Sequence, residues 1–214
     1  MNAETKLNNQ RGFTLLEVMV SVFISTIIFS SIYLVLSMAQ NIMRSNDLYG
    51  RLDQDAMQSL RSISSEIGQT SPNAAPSHLS ITTSGGNSIV RFQIPVDWDN
   101  DGDADTGGLN PQTEWGAYDT LGNLSNGRLG GWVRYSVTGT QLIRDVLDSS
   151  LNLVSGASKV IANNVQTFVV TKAQSNVTMT LTLRDTDLIG QKGSAQRQFQ
   201  STVLTTTLLR NAVS

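Results

Sequence analysis

The chain has 214 residues, 39% hydrophobic and 15% charged, with a formal net charge of -2. That length suits one domain plus an extension, or two small domains, and the balance of charge offers no basic surface for nucleic acid; no lysine or arginine cluster occurs along the chain. With no cysteine, disulfides, thiolate metal sites and cysteine nucleophiles are all excluded.

Residues 1–12, MNAETKLNNQRG, form a polar leader with Lys6 and Arg11 against Glu4. That bias holds the N-terminus in the cytoplasm and sends the remaining chain outward. From Val18 to Met43 no residue carries a charge. At about 1.5 Å per residue, a helix of that length crosses a hydrocarbon core of about 30 Å. An ordinary signal peptide could end at the small-x-small site Ser37-Met38-Ala39, but the apolar region of such a peptide is usually about 7–15 residues long. The length therefore favours a retained span over residues 13–40. Glu17 stands out within it, because a carboxylate inside an apolar helix is costly unless it has a partner.

The segment Gln10-Arg11-Gly12-Phe13-Thr14-Leu15-Leu16-Glu17-Val18 resembles the class III signal of type IV prepilins and type II secretion pseudopilins. The resemblance implies cleavage after Gly12 by a dedicated prepilin peptidase on the cytoplasmic side, and N-methylation of the new terminus at Phe13. It also implies that Glu17 pairs with the terminal ammonium of an adjacent subunit, so that the carboxylate is neutralised only on assembly. Unlike many major pilins, this span contains no proline, and its helix is expected to resist kinking.

After the span, Leu48, Leu52, Ala56, Leu60, Ile63 and Ile67 recur at helical spacing, with Arg51, Asp53, Gln54, Asp55, Arg61 and Glu66 between them. This predicts an amphipathic continuation of the helix over residues 41–71, ended by Gly68 and Ser71-Pro72. The remaining residues, 72–214, alternate with period two. One strand face is expected at Val90, Phe92, Ile94 and Val96. A hairpin is expected from Val133, Tyr135 and Val137 through Thr138-Gly139-Thr140 into Gln141 to Val146. Further strands are predicted at Val165 to Thr171, at Val177 to Leu183, and at Phe199 to Leu209. The expected fold class is α+β: a long N-terminal helix, transmembrane and then amphipathic, packed on an antiparallel β-sheet. Trp132-Val133-Arg134-Tyr135, Leu142-Ile143-Arg144 and Leu209-Arg210-Asn211 resemble W-type minor pilins and J-type pseudopilins.

Residues 97–110, DWDNDGDADTGGLN, place Asp97, Asp99, Asp101, Asp103 and Asp105 in strict alternation, with Gly102 at the sixth position. Carboxylates so crowded repel one another unless a cation is present. The spacing matches the first half of a calcium loop, although the twelfth position is Gly108 rather than a bidentate glutamate. Calcium is the expected cofactor. Side chains of Asp97, Asp99, Asp101 and Asp105 are the expected ligands, with Asp103 contributing through its carbonyl. The bland alternative is a solvated acidic loop.

The single histidine, His78, reads as an ordinary loop residue. The glycines from Gly122 to Gly131 lack the lysine of a phosphate loop, and no catalytic constellation is evident. Asn123-Leu124-Ser125 and Asn176-Val177-Thr178 match glycosylation sequons, a pattern that arises often by chance. The expected function is that of a non-enzymatic minor pilin of a type IV pilus, located in the bacterial inner membrane and then in the pilus. Its expected partners are prepilin peptidase and other minor and major pilins or pseudopilins. The alternatives are a type II secretion pseudopilin, or a calcium-dependent adhesin displayed on a pilin stalk.

Overall fold

The computed structural model describes residues 14–71, 77–99, 101–107, 112–119, 127–187 and 197–210. The leader, Gly12, Phe13 and the Asn123 sequon lie outside them. The described chain divides into two compact units, one ending at Asp47 and one beginning at Leu48.

In the first unit, helix α1 (Leu15–Ile67) starts at a capping box. The Glu17 amide donates to Thr14 Oγ1 at 3.3 Å, and the Thr14 amide donates to Glu17 Oε2 at 3.4 Å. Two otherwise orphaned N–H groups are thereby satisfied. Ser21, Thr26, Ser31 and Ser45 return their hydroxyls to the carbonyl four residues earlier, at 2.8–2.9 Å. Each of these four hydroxyls is thereby paired within its own helix, as an apolar surrounding requires.

In the second unit, the expected stripe faces inward: Leu52, Ala56, Leu60, Ile63 and Ile67 are buried. The helix ends where anticipated, with the Gly68 amide donating to the Ser64 carbonyl at 2.9 Å. A Cβ there would be crowded, lying 3.0 Å from that same carbonyl oxygen and 3.2 Å from Thr207.

The strands that follow are β1 (Leu79–Ser84), β2 (Asn87–Phe92), β3 (Ile94–Pro95), β4 (Trp115–Tyr118), β5 (Gly127–Leu129) and β6 (Trp132–Thr138). They continue with β7 (Gln141–Leu147), β8 (Lys159–Ala162), β9 (Val165–Ala173), β10 (Asn176–Asp187) and β11 (Arg197–Leu208). They form three antiparallel sheets, ordered β1-β2-β6-β7-β8, β11-β10-β9 and β3-β4-β5. The predicted hairpin is β6–β7, with Thr138 opposite Gln141.

The expected single strand from Val90 to Val96 is instead two. All four apolar residues are buried as anticipated, but β2 ends at Phe92 and β3 joins a different sheet. The break falls at Gln93, whose amide donates to the His78 carbonyl at 2.9 Å and whose side chain donates to the Gly131 carbonyl at 3.1 Å. Pro95 then has no N–H to extend a ladder.

The α1 stripe also contains a residue read as solvent-facing that is not. Glu66 is only 6% exposed. It accepts from Arg144 Nη2 at 2.9 Å and from Arg144 Nε at 3.0 Å, and Tyr135 donates its hydroxyl to Oε2 at 2.6 Å. Arg144 completes the cluster by donating to the Tyr118 carbonyl at 3.0 Å. Tyr135 and Arg144 are cross-strand partners on β6 and β7, so two neighbouring strands present both groups to one helical residue. Burial on its own would lower the Arg144 pKa, but the hydrogen bond and charge of Glu66 leave it raised. Burial and then the Glu66 charge hold the Tyr135 phenol well above its ordinary 10.0.

Because the folded phenol keeps its proton where the unfolded one loses it, its stabilisation is complete below about pH 10 and declines as pH rises further. The melting temperature of the full chain in detergent should fall above pH 10 with a slope that Tyr135→Phe makes shallower. An equal slope in the variant would remove Tyr135 as the cause. Glu66→Ala strands a buried guanidinium and should destabilise by about 3–5 kcal/mol in denaturant titrations; a loss under about 1 kcal/mol would show that Arg144 finds another partner.

Candidate functional site

Two segments carry the expected chemistry. At the start of α1, Glu17 is exposed and is held by its own chain through the capping box. That bond occupies one position on a group with two oxygens and about four lone-pair sites, so acceptor capacity remains for a second donor. The T-x-x-E signature of the box was present in the sequence at Thr14 and Glu17.

The second segment is the loop after β3. Its base is pinned to the small sheet. Asp97 donates its amide to the Tyr118 hydroxyl at 3.1 Å, Val96 donates to the Glu114 carbonyl at 2.8 Å, and Glu114 donates to the Ala104 carbonyl at 2.9 Å. The loop lies between β3 and β4, so β4 and β5 intervene before the Trp132 strand.

Within it, Asp97 accepts from the amides of Asp101 and Gly102 at 3.2 and 3.1 Å, drawing the chain into a tight turn. Gly102 adopts φ +104°, a conformation that side-chain-bearing residues rarely take. Carboxylate oxygens of Asp97, Asp99 and Asp101 lie within 4.8 Å of one another. Asp103 and Asp105 do not join that group. Each accepts from the amide two residues on, Asp105 and Gly107 respectively, at 3.1 and 2.7 Å. Of the four aspartates expected to act through side chains, three converge, while Asp105, like Asp103 and Asp101, accepts a local amide two residues on.

His78, expected to be an ordinary loop residue, is buried. Its Nδ1 lies 2.7 Å from Gln93 Oε1 and its ring stacks on Trp115 at 4.2 Å. Thr70, just past α1, donates its hydroxyl to the Gln93 carbonyl at 2.6 Å. Thr70, which also donates to the His78 carbonyl at 3.3 Å, therefore ties the end of the helix to both His78 and the strand break. No spacing rule in the sequence announces such a contact.

The prokaryotic N-terminal methylation motif matches residues 7–33. The chain carries a type IV prepilin-like signal. Comparisons with curated proteins and with solved structures find no match. The motif supports a pilin-like or pseudopilin-like role in general and implies processing by prepilin peptidase. It overlaps the start of α1, the single helix among the described residues that is long and apolar enough to cross a membrane.

Proposed function

We propose that this chain is a minor pilin of the W type, inserted in the inner membrane with residues after the span on the periplasmic side. It is cleaved after Gly12, methylated on Phe13 and assembled through α1 at or near the tip of a type IV pilus, beside other minor and major pilins. The observation that carries this reading is the coincidence of the methylation motif at residues 7–33 with the membrane-length helix. A J-type pseudopilin of type II secretion would share that coincidence. Loss of pili on deletion supports the first reading, and loss of secretion with pili intact replaces it with the second.

Processing is tested by mass spectrometry of the mature chain. A methylated Phe13 terminus is expected, and a terminus at Gln40, beyond Ala39, would overturn the reading.

The capping box makes Glu17 separable into two roles. Glu17→Gln keeps a side chain that can cap, since glutamine serves at that position, but removes the charge that would meet a neighbour's ammonium. It should be processed normally and fail to enter filaments. Glu17→Ala loses both roles. Incorporation of the glutamine variant at wild-type level would leave Glu17 as a helix cap and nothing more.

We further propose that Asp97, Asp99 and Asp101 hold calcium, supported by the convergence of their oxygens. Oxygen ligands at about 2.3–2.6 Å replace mutual repulsion with attraction. At a hundredfold excess of ion over its dissociation constant, the folded state gains about 2.7 kcal/mol. The full chain in detergent should melt higher in millimolar calcium than in chelator, with magnesium a poor substitute. Asp99→Ala with Asp101→Ala should abolish the shift. Calorimetry detecting no calcium binding to the wild type would make the loop a solvated feature.

A further inference from the structure

Ser62 departs from a pattern set elsewhere in α1. Ser21, Thr26, Ser31, Ser45 and Ser59 each return a hydroxyl to the carbonyl four residues earlier. The Ser62 Oγ is enclosed by protein and has no partner. A hidden hydroxyl in that condition has given up its hydration for nothing, which is uncommon in folded chains.

Ser62 lines a cavity of about 290 Å³ between α1 and β8. Asp55, Gln58 and Ser59 line it from the same helical face, and residues 159–163 line it from the strand. One bond joins the two elements, from the Ser59 hydroxyl to the Ile161 carbonyl at 3.0 Å. Side chains cap β9 in a comparable way, where the Phe168 amide donates to Asn87 Oδ1 at 2.8 Å and the Val170 amide to Ser88 Oγ at 2.9 Å. At β8 the single bond leaves a space beside it.

The helix and the strand run in opposite directions along this space. Ser59 meets Ile161, and further along α1 Glu66 meets Arg144, the cross-strand partner of Lys159. Lys159 therefore lies toward Ser62, and Asp55 lies past Ile161 at the other end. Four residues of helix at about 1.5 Å and two of strand at about 3.3 Å separate their backbone positions by about 12 Å. Neither charge has an ion-pair partner among the described residues.

We propose that this cavity binds a short extended peptide with free termini, its ammonium at Asp55 and its carboxylate at Lys159. The span suits about 3–4 small residues at about 3.3 Å each. Between the ends, the Gln58 amide and the Ser62 hydroxyl supply partners for peptide N–H and C=O groups. The volume stands at the lower limit of ligand pockets, about 300–1,000 Å³, and so fits a small occupant. A single α-amino acid carries both charges on one carbon and cannot reach both ends. A lone carboxylate is a poor set for calcium, which takes about 6–8 oxygens. No aromatic ring lines the cavity on which a base could stack.

The test is calorimetry of L-alanyl-L-alanyl-L-alanine with the full chain in detergent micelles. Saturable binding at millimolar concentration is expected. The same peptide acetylated and amidated keeps its peptide groups but loses both charges, and should bind at least about tenfold more weakly. Asp55→Asn, Lys159→Gln and Ser62→Ala should each weaken binding by about fivefold. Asp55 and Lys159 are exposed, so changing them leaves the core intact. Asp55→Lys or Lys159→Glu alone should abolish binding, and the two together should restore it with the peptide turned end for end. No saturable binding of the free tripeptide overturns the proposal, as does equal binding of the blocked one. Failure of the double reversal to recover what each reversal loses would remove the charge pairing on which the proposal depends.

Discussion

A guanidinium enclosed inside a domain needs an anion beside it, and Arg144 finds one 78 residues earlier in the chain, on a different element. Its position depends on two conditions at once. The rotation of α1 must carry Glu66 inward beside Ile63 and Ile67, and the register of β6 on β7 must place Tyr135 next to Arg144. A one-residue slip of that register would turn Arg144 to the opposite face and leave Glu66 with no cation. Buried pairs of this kind contribute little net stability relative to apolar packing, but very few arrangements of helix and sheet satisfy this one.

That dependence also explains which parts of the fold were legible from residues alone. The stripe from Leu52 to Ile67 and the alternations around Val133, Val177 and Phe199 are periodic, and periodicity survives without knowledge of partners. Glu66 was hidden because a pattern of apolar residues counts every carboxylate as an outward one. The break at Gln93 was hidden because Val90, Phe92, Ile94 and Val96 stay buried on both sides of it, so the period gives no sign of a change of sheet. Strands β4, β5 and β8 have four, three and four residues, too few for an alternation to be distinguished from chance.

The candidate sites divide along the same line. The signal around Gly12 and Glu17 is local, and local chemistry is written in the sequence. The capping box is equally local, and the cap and the proposed pairing with a neighbour's terminus would use the same carboxylate. In the acidic loop, alternation supplied the residue types but not the path of the backbone, which turns at Gly102 and sends Asp103 and Asp105 into bonds with the returning limb. His78 depends on Gln93, Trp115 and Thr70 from three separate segments, and so was invisible before folding.

The side-chain caps on β9 carry a mechanical consequence. The two larger sheets share no continuous backbone ladder; where β9 approaches β2, Asn87 and Ser88 provide hydrogen bonds at Phe168 and Val170. A ladder resists shear because many parallel bonds must break together, whereas two side-chain bonds can give way one after the other. The strands β9, β10 and β11 are consecutive in the chain, and their pairing with one another does not involve the larger sheet. The Val165 amide also donates to the Thr140 carbonyl at 2.9 Å, and Ser201 and Arg210 bond to Asp53 in α1 and to Gly68 at its end. The C-terminal meander is thus held to the rest of the domain by single bonds and shared packing rather than by a ladder.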